Sequence, residues 1–72
     1  MRPASEVDVR HRVAERVAQL RAGKKWTQKV LAERSKLPRT YIADLEGARR
    51  NPSLLTLVRV ADALGVPLRD LL

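Results

Sequence analysis

The sequence contains no cysteine and a single histidine, His11. Without cysteine the chain can form neither a disulfide nor a thiolate metal site, and one histidine argues against a histidine-based metal site. A chain of 72 residues buries only about 60% of the surface that its unfolded form exposes. We therefore expect no metal or other cofactor, and a stability that depends on a tight helical core, extended by self-association.

Long apolar runs are missing as well. No stretch approaches the roughly 20 apolar residues that span a bilayer, and the first residues lead into a charged helix rather than a signal peptide. The sequence also lacks a nucleophile–base pair, a carboxylate dyad and a metal cluster. It predicts a protein that stays in the cytoplasm, is not an enzyme and has no small-molecule ligand or membrane partner.

Acidic residues are scarce relative to basic ones. The chain has 15 Lys+Arg and 8 Asp+Glu, which gives a formal net charge of +7. Such a balance indicates an acidic partner, either nucleic acid or an anionic membrane surface, although a solvated basic surface is the simpler alternative. A membrane-surface peptide needs one helix with a basic face and a broad apolar face, whereas here the apolar residues are spread over several capped helices.

Apolar residues recur at helical spacing, and no segment alternates in the manner of a half-buried strand. Ser5 is the predicted N-cap of a first helix that continues to about Ala22 or Lys24, and residues 1–4 form a short flexible arm. The sequence predicts an all-α protein of five short helices, in one domain over residues 5–72. The inward face of the first helix is Val9, Val13, Val17 and Leu20.

The second and third helices are separated by the segment SKLP. Thr27 is the N-cap of the second helix, which stops before Pro38 because a residue that precedes proline is pushed away from helical angles. Pro38 then serves near the start of the third helix, where its missing N–H is no loss. Two short helices set at an angle, over about residues 27–46, form a helix-turn-helix.

The remaining segments are two helices. Ser53 is the N-cap of the fourth helix, Gly65 ends it at the C′ position, and Pro67 opens a last short helix. The inward face of the fourth helix is Leu54, Leu57, Val60, Ala61 and Leu64.

At these positions the chain resembles the Cro/phage-repressor type of helix-turn-helix, also called the xenobiotic-response-element family. Within that family it looks most similar to the small controller proteins of restriction–modification systems. The resemblance covers roughly residues 9–72 and implies a lambda-repressor-like DNA-binding domain. It is carried by Thr27-Gln28, Leu31-Ala32, Ile42, Leu45-Glu46, Asn51-Pro52-Ser53 and Ala61…Leu64-Gly65-Val66.

The resemblance also implies a structural ion pair. Arg21 looks like the family's arginine that pairs with the glutamate at Glu46, joining the first helix to the end of the third. The alternative is two surface charges worth under about 1 kcal/mol. Ala32 lies where the second and third helices cross, and Trp26 is predicted to fill the core between the first and second helices.

The third helix is the predicted recognition helix. The major groove of B-form DNA admits a helix, whose N-terminal residues then face base edges. Arg39 can contact guanine O6 and N7, and Thr40 can offer a hydroxyl to a base or a methyl to thymine. Ala43 allows only a methyl contact. Asp44 can accept from cytosine, but we favour a role in balancing Arg39 or a neighbouring arginine, Arg34.

A second set of residues is predicted to contact the DNA backbone. Gln28 matches the family glutamine that contacts a phosphate and braces the recognition helix, and helix N-termini bind phosphate through free N–H groups. Basic residues that follow the recognition helix suit the same role. The set comprises Thr27, Gln28, Lys36, Tyr41, Arg49, Arg50 and Asn51.

The sequence departs from the family at two turns. Lys36 stands where the family usually has glycine, at a position that tends to need a positive φ. A lysine held there costs on the order of 1 kcal/mol, unless the turn differs in geometry. Gly47 and Ala48 are exchanged relative to the usual order, which affects the placing of Arg49.

Val30 replaces a typical acidic residue, so the second helix lacks a capping-box glutamate.

Leucines left over after the core is assigned predict a homodimer. The side chains that remain form an apolar patch that is large for so small a protein, and self-association would remove it from water. A two-fold dimer would place two recognition helices at half-sites about 34 Å apart on a pseudo-palindromic operator. Since no sensing domain is visible, an autoregulatory transcription regulator is expected; the alternatives are an antitoxin that binds a toxin and a protein-interaction module. The predicted interface is Leu55, Val58, Leu68, Leu71 and Leu72.

Overall fold

The computed structural model describes residues 6–72, with the side chains from residue 8 onward. The prediction of a flexible arm over residues 1–4 and of Ser5 as an N-cap lies outside this range. Four α-helices and one short 3-10 helix follow in order: α1 Glu6–Gly23, α2 Gln28–Ser35, α3 Arg39–Glu46, α4 Leu54–Leu64 and the 3-10 helix Leu68–Leu71. The predicted all-α class is confirmed.

The prediction of a fifth α-helix is wrong. The segment after Pro67 is four residues long and is held by the bonds Asp70 N–H to Pro67 O (3.0 Å) and Leu72 N–H to Arg69 O (3.1 Å). Both bonds join residues three apart, the 3-10 pattern, which suits segments too short to propagate an α-helix.

The predicted caps hold the helix ends. The hydroxyl oxygen of Thr27 accepts from the Val30 N–H at 3.1 Å, and that of Ser53 accepts from the Thr56 N–H at 3.1 Å. Gly65 ends α4 in the left-handed region at φ 73°, where the absence of a Cβ avoids strain. Pro38 takes the N-cap position of α3 in an extended conformation, with φ −61° and ψ 145°.

The core lies where the five elements meet. α3 packs against α1 and α2, α2 packs against α4, and the 3-10 helix packs against α1 and α4. Trp26, which was predicted to fill the core between the first and second helices, instead packs against this core from its edge and is half-buried. The largest fully buried side chains are Val13, Val17, Leu31, Ile42, Leu45, Val60, Leu64 and Leu71.

Three apolar residues differ from their predicted positions. Leu71, assigned to a dimer interface, has no exposed surface, because the 3-10 helix folds back between α1 and α4 and places this side chain in the core of the protomer. Leu54 is 65% exposed and Val9 is 42% exposed. Both match the inward spacing of their helices, but they lie at the N-terminal end of α4 and near that of α1, where no neighbouring element covers them.

The α2–α3 turn has the positive φ that its glycine-like position predicts. Lys36 lies at φ 59° and ψ 42°, and its N–H donates to the carbonyls of Ala32 and Glu33. The Leu37 N–H donates to Ala32 O at 2.9 Å. Ser35, a buried polar residue, donates its hydroxyl to Leu31 O at 2.7 Å. The chain therefore keeps the expected turn geometry and accepts a lysine in a strained conformation.

Candidate nucleic-acid interface

α3 has one side in the core and one side towards solvent. Ile42 and Leu45 are 0% and 1% exposed and anchor the underside of the helix. Arg39 and Thr40, on its first turn, are exposed. Because the two anchors fix the rotation of α3 about its own axis, this face is presented outward as a rigid surface.

An ion pair ties the end of α3 to α1. Arg21 Nε lies 2.7 Å from Glu46 Oε2, and Arg21 Nη2 donates to Glu46 Oε1 at 3.0 Å. The two side chains are 20% and 8% exposed, so the pair is largely removed from water. The predicted Arg21–Glu46 pair is therefore present with bidentate geometry, the strongest arrangement for these two groups.

Two more groups join this pair. Gln28 Nε2 donates to Glu46 Oε1 at 3.2 Å, and Arg21 Nη1 donates to Trp26 O at 2.6 Å. The Glu46 carboxylate thus links α1, α2 and α3, and Arg21 adds the α1–α2 loop. Gln28 thus braces α3 through the glutamate at its end, and its contact with a DNA phosphate stays a prediction.

The pair changes the proton affinity of its arginine. The side-chain hydrogen bond with Glu46 raises the pKa of Arg21, burial lowers it, and the charge of the carboxylate raises it further. The net direction is upward. A raised arginine pKa stabilises the fold at every pH below the ordinary arginine value and loses its effect only as pH rises through the folded value. The contribution of Arg21 is therefore constant across the neutral range.

A second, exposed cluster lies at the C-terminal half of α3. Asp44 Oδ1 is 3.2 Å from Arg49 Nε, and Asp44 Oδ2 is 3.6 Å from Arg50 Nη2. The guanidinium of Arg50 also lies over the ring of Tyr41, 4.4 Å from its centroid. Asp44 does balance arginines, but its partners are Arg49 and Arg50. The predicted partners Arg39 and Arg34 were wrong, because the loop after α3 turns back across the helix.

Gly47 allows this cluster to form. An ideal Cβ at Gly47 would lie 2.7 Å from Arg49 Cζ, so a larger residue would occupy the place of the guanidinium. Arg49 Nη2 also donates to Ala43 O at 3.3 Å. The exchange of Gly47 and Ala48 has a second effect: Ala48 adopts φ 58° while Gly47 has φ −85°, so the residue with a Cβ occupies the left-handed position.

The other predicted backbone-contact residues are distributed over the same region. Thr27 is engaged as the N-cap of α2, and Asn51 is exposed in the loop between α3 and α4. Arg34 lies over the Trp26 ring, 4.5 Å from the ring centroid. The structure therefore brings Tyr41, Ala43 and Asp44 together with Arg49 and Arg50, and leaves Arg39 and Thr40 exposed at the opposite end of α3.

Arg59 is a residue that the sequence interpretation missed. Its Nη2 donates to Lys36 O at 2.6 Å, which joins α4 to the α2–α3 turn. The two residues are 23 positions apart, and an arginine on the solvent side of a helix carries no local signal of such a contact. Arg59 supports the turn that sets the angle of α3.

Among residues 8–72, whose side chains are described, no group of three or more His, Cys, Asp or Glu residues could hold a metal ion. Within the same range, no helix is long and apolar enough to cross a membrane.

Comparison with known families agrees with this architecture. A family model described as "Helix-turn-helix" matches residues 17–71. The chain belongs to this helix-turn-helix family. The family consists of DNA-binding transcription regulators and not of enzymes.

Individual relatives include phage repressors and controller proteins. The immunity repressor protein of Bacillus phage phi105 is 50% identical over 54 residues, which are 75% of this chain and 38% of the repressor. This chain thus spans well under half the length of that relative. The crystal structure of the restriction–modification controller protein C.AhdI from Aeromonas hydrophila matches with TM-score 0.85 and 33% identity, over 88% of this chain and 96% of that one.

The crystal structure of a third relative has been determined in complex with DNA. The controller protein C.Esp1396I, as a tetramer in complex with its natural 35 base-pair operator, matches with TM-score 0.79 and 27% identity, over 88% of this chain and 93% of that one. The helix-turn-helix regulator described here is therefore related both to phage repressors and to restriction–modification controllers.

Proposed function

We propose that this regulator binds a pseudo-palindromic operator as a homodimer and reads base edges in the major groove with the first turn of α3. The observation that carries the proposal is the combination of exposed Arg39 and Thr40 with the fully buried Ile42 and Leu45 on the opposite side of the same helix. A recognition helix needs this division, because its base contacts depend on a fixed orientation.

The residues divide into two functional groups. Arg39 and Thr40 would contact bases, with Ala43 beside them as a small apolar contact. Residues at the start of α2, in the α2–α3 turn, on α3 and directly after it would contact phosphates and set the register of the protein on the duplex. This second group contains Thr27, Gln28, Lys36, Tyr41, Arg49, Arg50 and Asn51.

An apolar surface on α4 supports the homodimer. Leu54 and Leu55 are 65% and 71% exposed, and Val58, partly buried, lies one turn further along the same side. Two adjacent exposed leucines at one helix end form a patch that self-association would cover. Leu72 is also exposed, Leu68 is partly buried against the core, and Leu71 is excluded because it is buried in the protomer.

The likeness to controller proteins supports a specific biological role. We infer that the protein controls its own gene, and that it acts in a restriction–modification system, by occupying an operator whose position determines activation or repression. The operator complex of C.Esp1396I is the relative that supports this inference.

Selection of bound duplexes from a random DNA pool tests the proposal. We expect a palindromic consensus. Arg39→Ala should relax one position in each half-site and cost about 1–3 kcal/mol, whereas Arg50→Ala should weaken operator binding without changing which bases are selected. Binding without a consensus, with one steep salt dependence on every duplex, would contradict sequence-specific regulation.

Sedimentation of the free protein tests the dimer separately. Leu55→Lys should shift the chain to monomer without unfolding it, because Leu55 makes little contact with the core. A wild-type protein that stays monomeric at micromolar concentration would assign the patch to another protein partner, as in an antitoxin.

A further inference from the structure

We propose that Asp44 acts as a selectivity residue: it holds Arg49 and Arg50 away from phosphate in loosely bound complexes and releases them only on the operator. The inference rests on the proposed function, because it concerns the same DNA-binding face. It assigns to Asp44 a role other than reading a base or stabilising the fold.

Both arginines that follow α3 are engaged by one carboxylate, at 3.2 Å for Arg49 and 3.6 Å for Arg50. Arg49 has a second acceptor in Ala43 O, and Arg50 has the Tyr41 ring. Each guanidinium is thus folded back against the recognition helix in the free protein, and neither is extended towards a partner.

The ion pairs that Asp44 forms are weak. The side chains of Asp44, Arg49 and Arg50 are 38%, 63% and 47% exposed, and ion pairs of this kind contribute little to stability. The contrast is the Arg21–Glu46 pair, whose carboxylate is 8% exposed. The Asp44 contacts are therefore weak enough to exchange for phosphate contacts when a duplex is held close.

A carboxylate on the groove-facing helix neutralises the arginines beside it and so makes them less available to the phosphates of any duplex. Non-specific binding depends almost entirely on phosphate contacts, so it suffers most from this arrangement. On the operator, base contacts by Arg39 and Thr40 hold α3 in the groove, and the two arginines can then move from Asp44 to the backbone.

The inference gives a quantitative expectation for salt dependence. Each phosphate contact adds about 0.9 to the slope of log K against log salt. Two additional contacts on the operator should make its slope steeper than that on a random duplex by about 1.8. Asp44→Asn should steepen the random-duplex slope by up to that amount. The affinity for a random duplex would then fall by an additional factor of about 12 between 50 and 200 mM salt. The operator slope should change little, so the ratio of operator to random-duplex affinity should fall.

Three variants separate release of the arginines from a general change in charge. Glu15→Gln changes the net charge equally, but Glu15 lies on α1 beside the 3-10 helix. Gly47→Ala leaves the charge unchanged and is compatible with φ −85°. The three atoms nearest to the added Cβ all belong to the Arg49 guanidinium. The third variant adds Asp44→Asn to a chain that already carries Arg49→Ala and Arg50→Ala.

We expect Asp44→Asn to steepen the random-duplex slope more than Glu15→Gln does, and Gly47→Ala to steepen it by about 0.9. The effect of Asp44→Asn should disappear in the chain without the two arginines. Equal effects of Asp44→Asn and Glu15→Gln, an unchanged slope for Gly47→Ala, or an effect that persists without the arginines would overturn the inference.

One further result would also overturn it. If Asp44→Asn loses operator affinity alone and relaxes one base position, Asp44 reads a base. Failure of the proposed function has a different signature, since the wild-type protein would then select no consensus. The comparison of slopes on random duplexes remains valid in that case.

Discussion

Removal of Arg21 tests the contact that holds the recognition helix in place. Arg21→Met keeps the apolar part of the side chain. The Glu46 carboxylate, which is 8% exposed, then loses both hydrogen bonds from the guanidinium and keeps the one from Gln28. Leaving a largely buried charge without its partner costs about 3 kcal/mol. A domain of this length has a total stability of roughly 4–11 kcal/mol, so the loss is a large fraction.

The measurement is urea unfolding followed by the fluorescence of Trp26, the single tryptophan. Trp26 is a local reporter because its carbonyl accepts from Arg21 at 2.6 Å, and circular dichroism provides the global signal. Coincident transitions would establish two-state behaviour. A loss of about 3 kcal/mol corresponds to a Tm lower by about 12–24 °C for a domain of this size.

A double substitution sharpens the test. Replacing both partners, as in Arg21→Met with Glu46→Leu, removes the buried charge altogether and should recover much of the loss. The matched control is Asp44→Asn, which breaks an exposed pair and should change stability by less than about 1 kcal/mol. If Arg21→Met costs no more than Asp44→Asn, the pair behaves as a surface ion pair and does not fix α3.

Substitutions at two other positions are expected to change the stability of the protein in opposite directions. Lys36→Gly removes a side chain from a left-handed position and should stabilise the protein by about 1 kcal/mol in thermal or urea unfolding. Glu33→Gly, at an exposed position inside α2, should destabilise it by about the same amount; stabilisation by neither change, or by both, would contradict strain at the turn. Arg59→Gln removes the 2.6 Å bond to Lys36 O and should cost about 1 kcal/mol in urea unfolding; no change in stability would show that Arg59 does not hold the turn.

The elements of the fold were largely predictable because their signals are local. Thr27, Ser53 and Gly65 mark helix ends by chemistry that acts within one turn, and Pro38 interrupts the chain by its own covalent structure. The element whose type was predicted wrongly is the last one. The segment after Pro67 forms four residues of 3-10 helix, and its type depends on packing against α1 and α4.

Apolar spacing identified most of the core, but it did not distinguish burial in the protomer from exposure at a helix end. Leu71 and Leu54 show the two errors. Leu71 lies in a segment too short to display a period, and it becomes core only because the chain folds back. Leu54 matches the period of α4 but lies at its first residue, where no other element reaches.

The candidate site divides in the same way. The residues of α3 that face outward follow from helical geometry once Ile42 and Leu45 are recognised as anchors. The partners of Asp44 and the contact made by Arg59 do not follow, because they depend on the path of a loop and on residues 23 positions apart. The sequence alone determined a basic, all-α helix-turn-helix protein, since caps, proline and apolar period act over short distances. Only the tertiary structure decided which charges meet, because an ion pair depends on where distant segments are brought together in space.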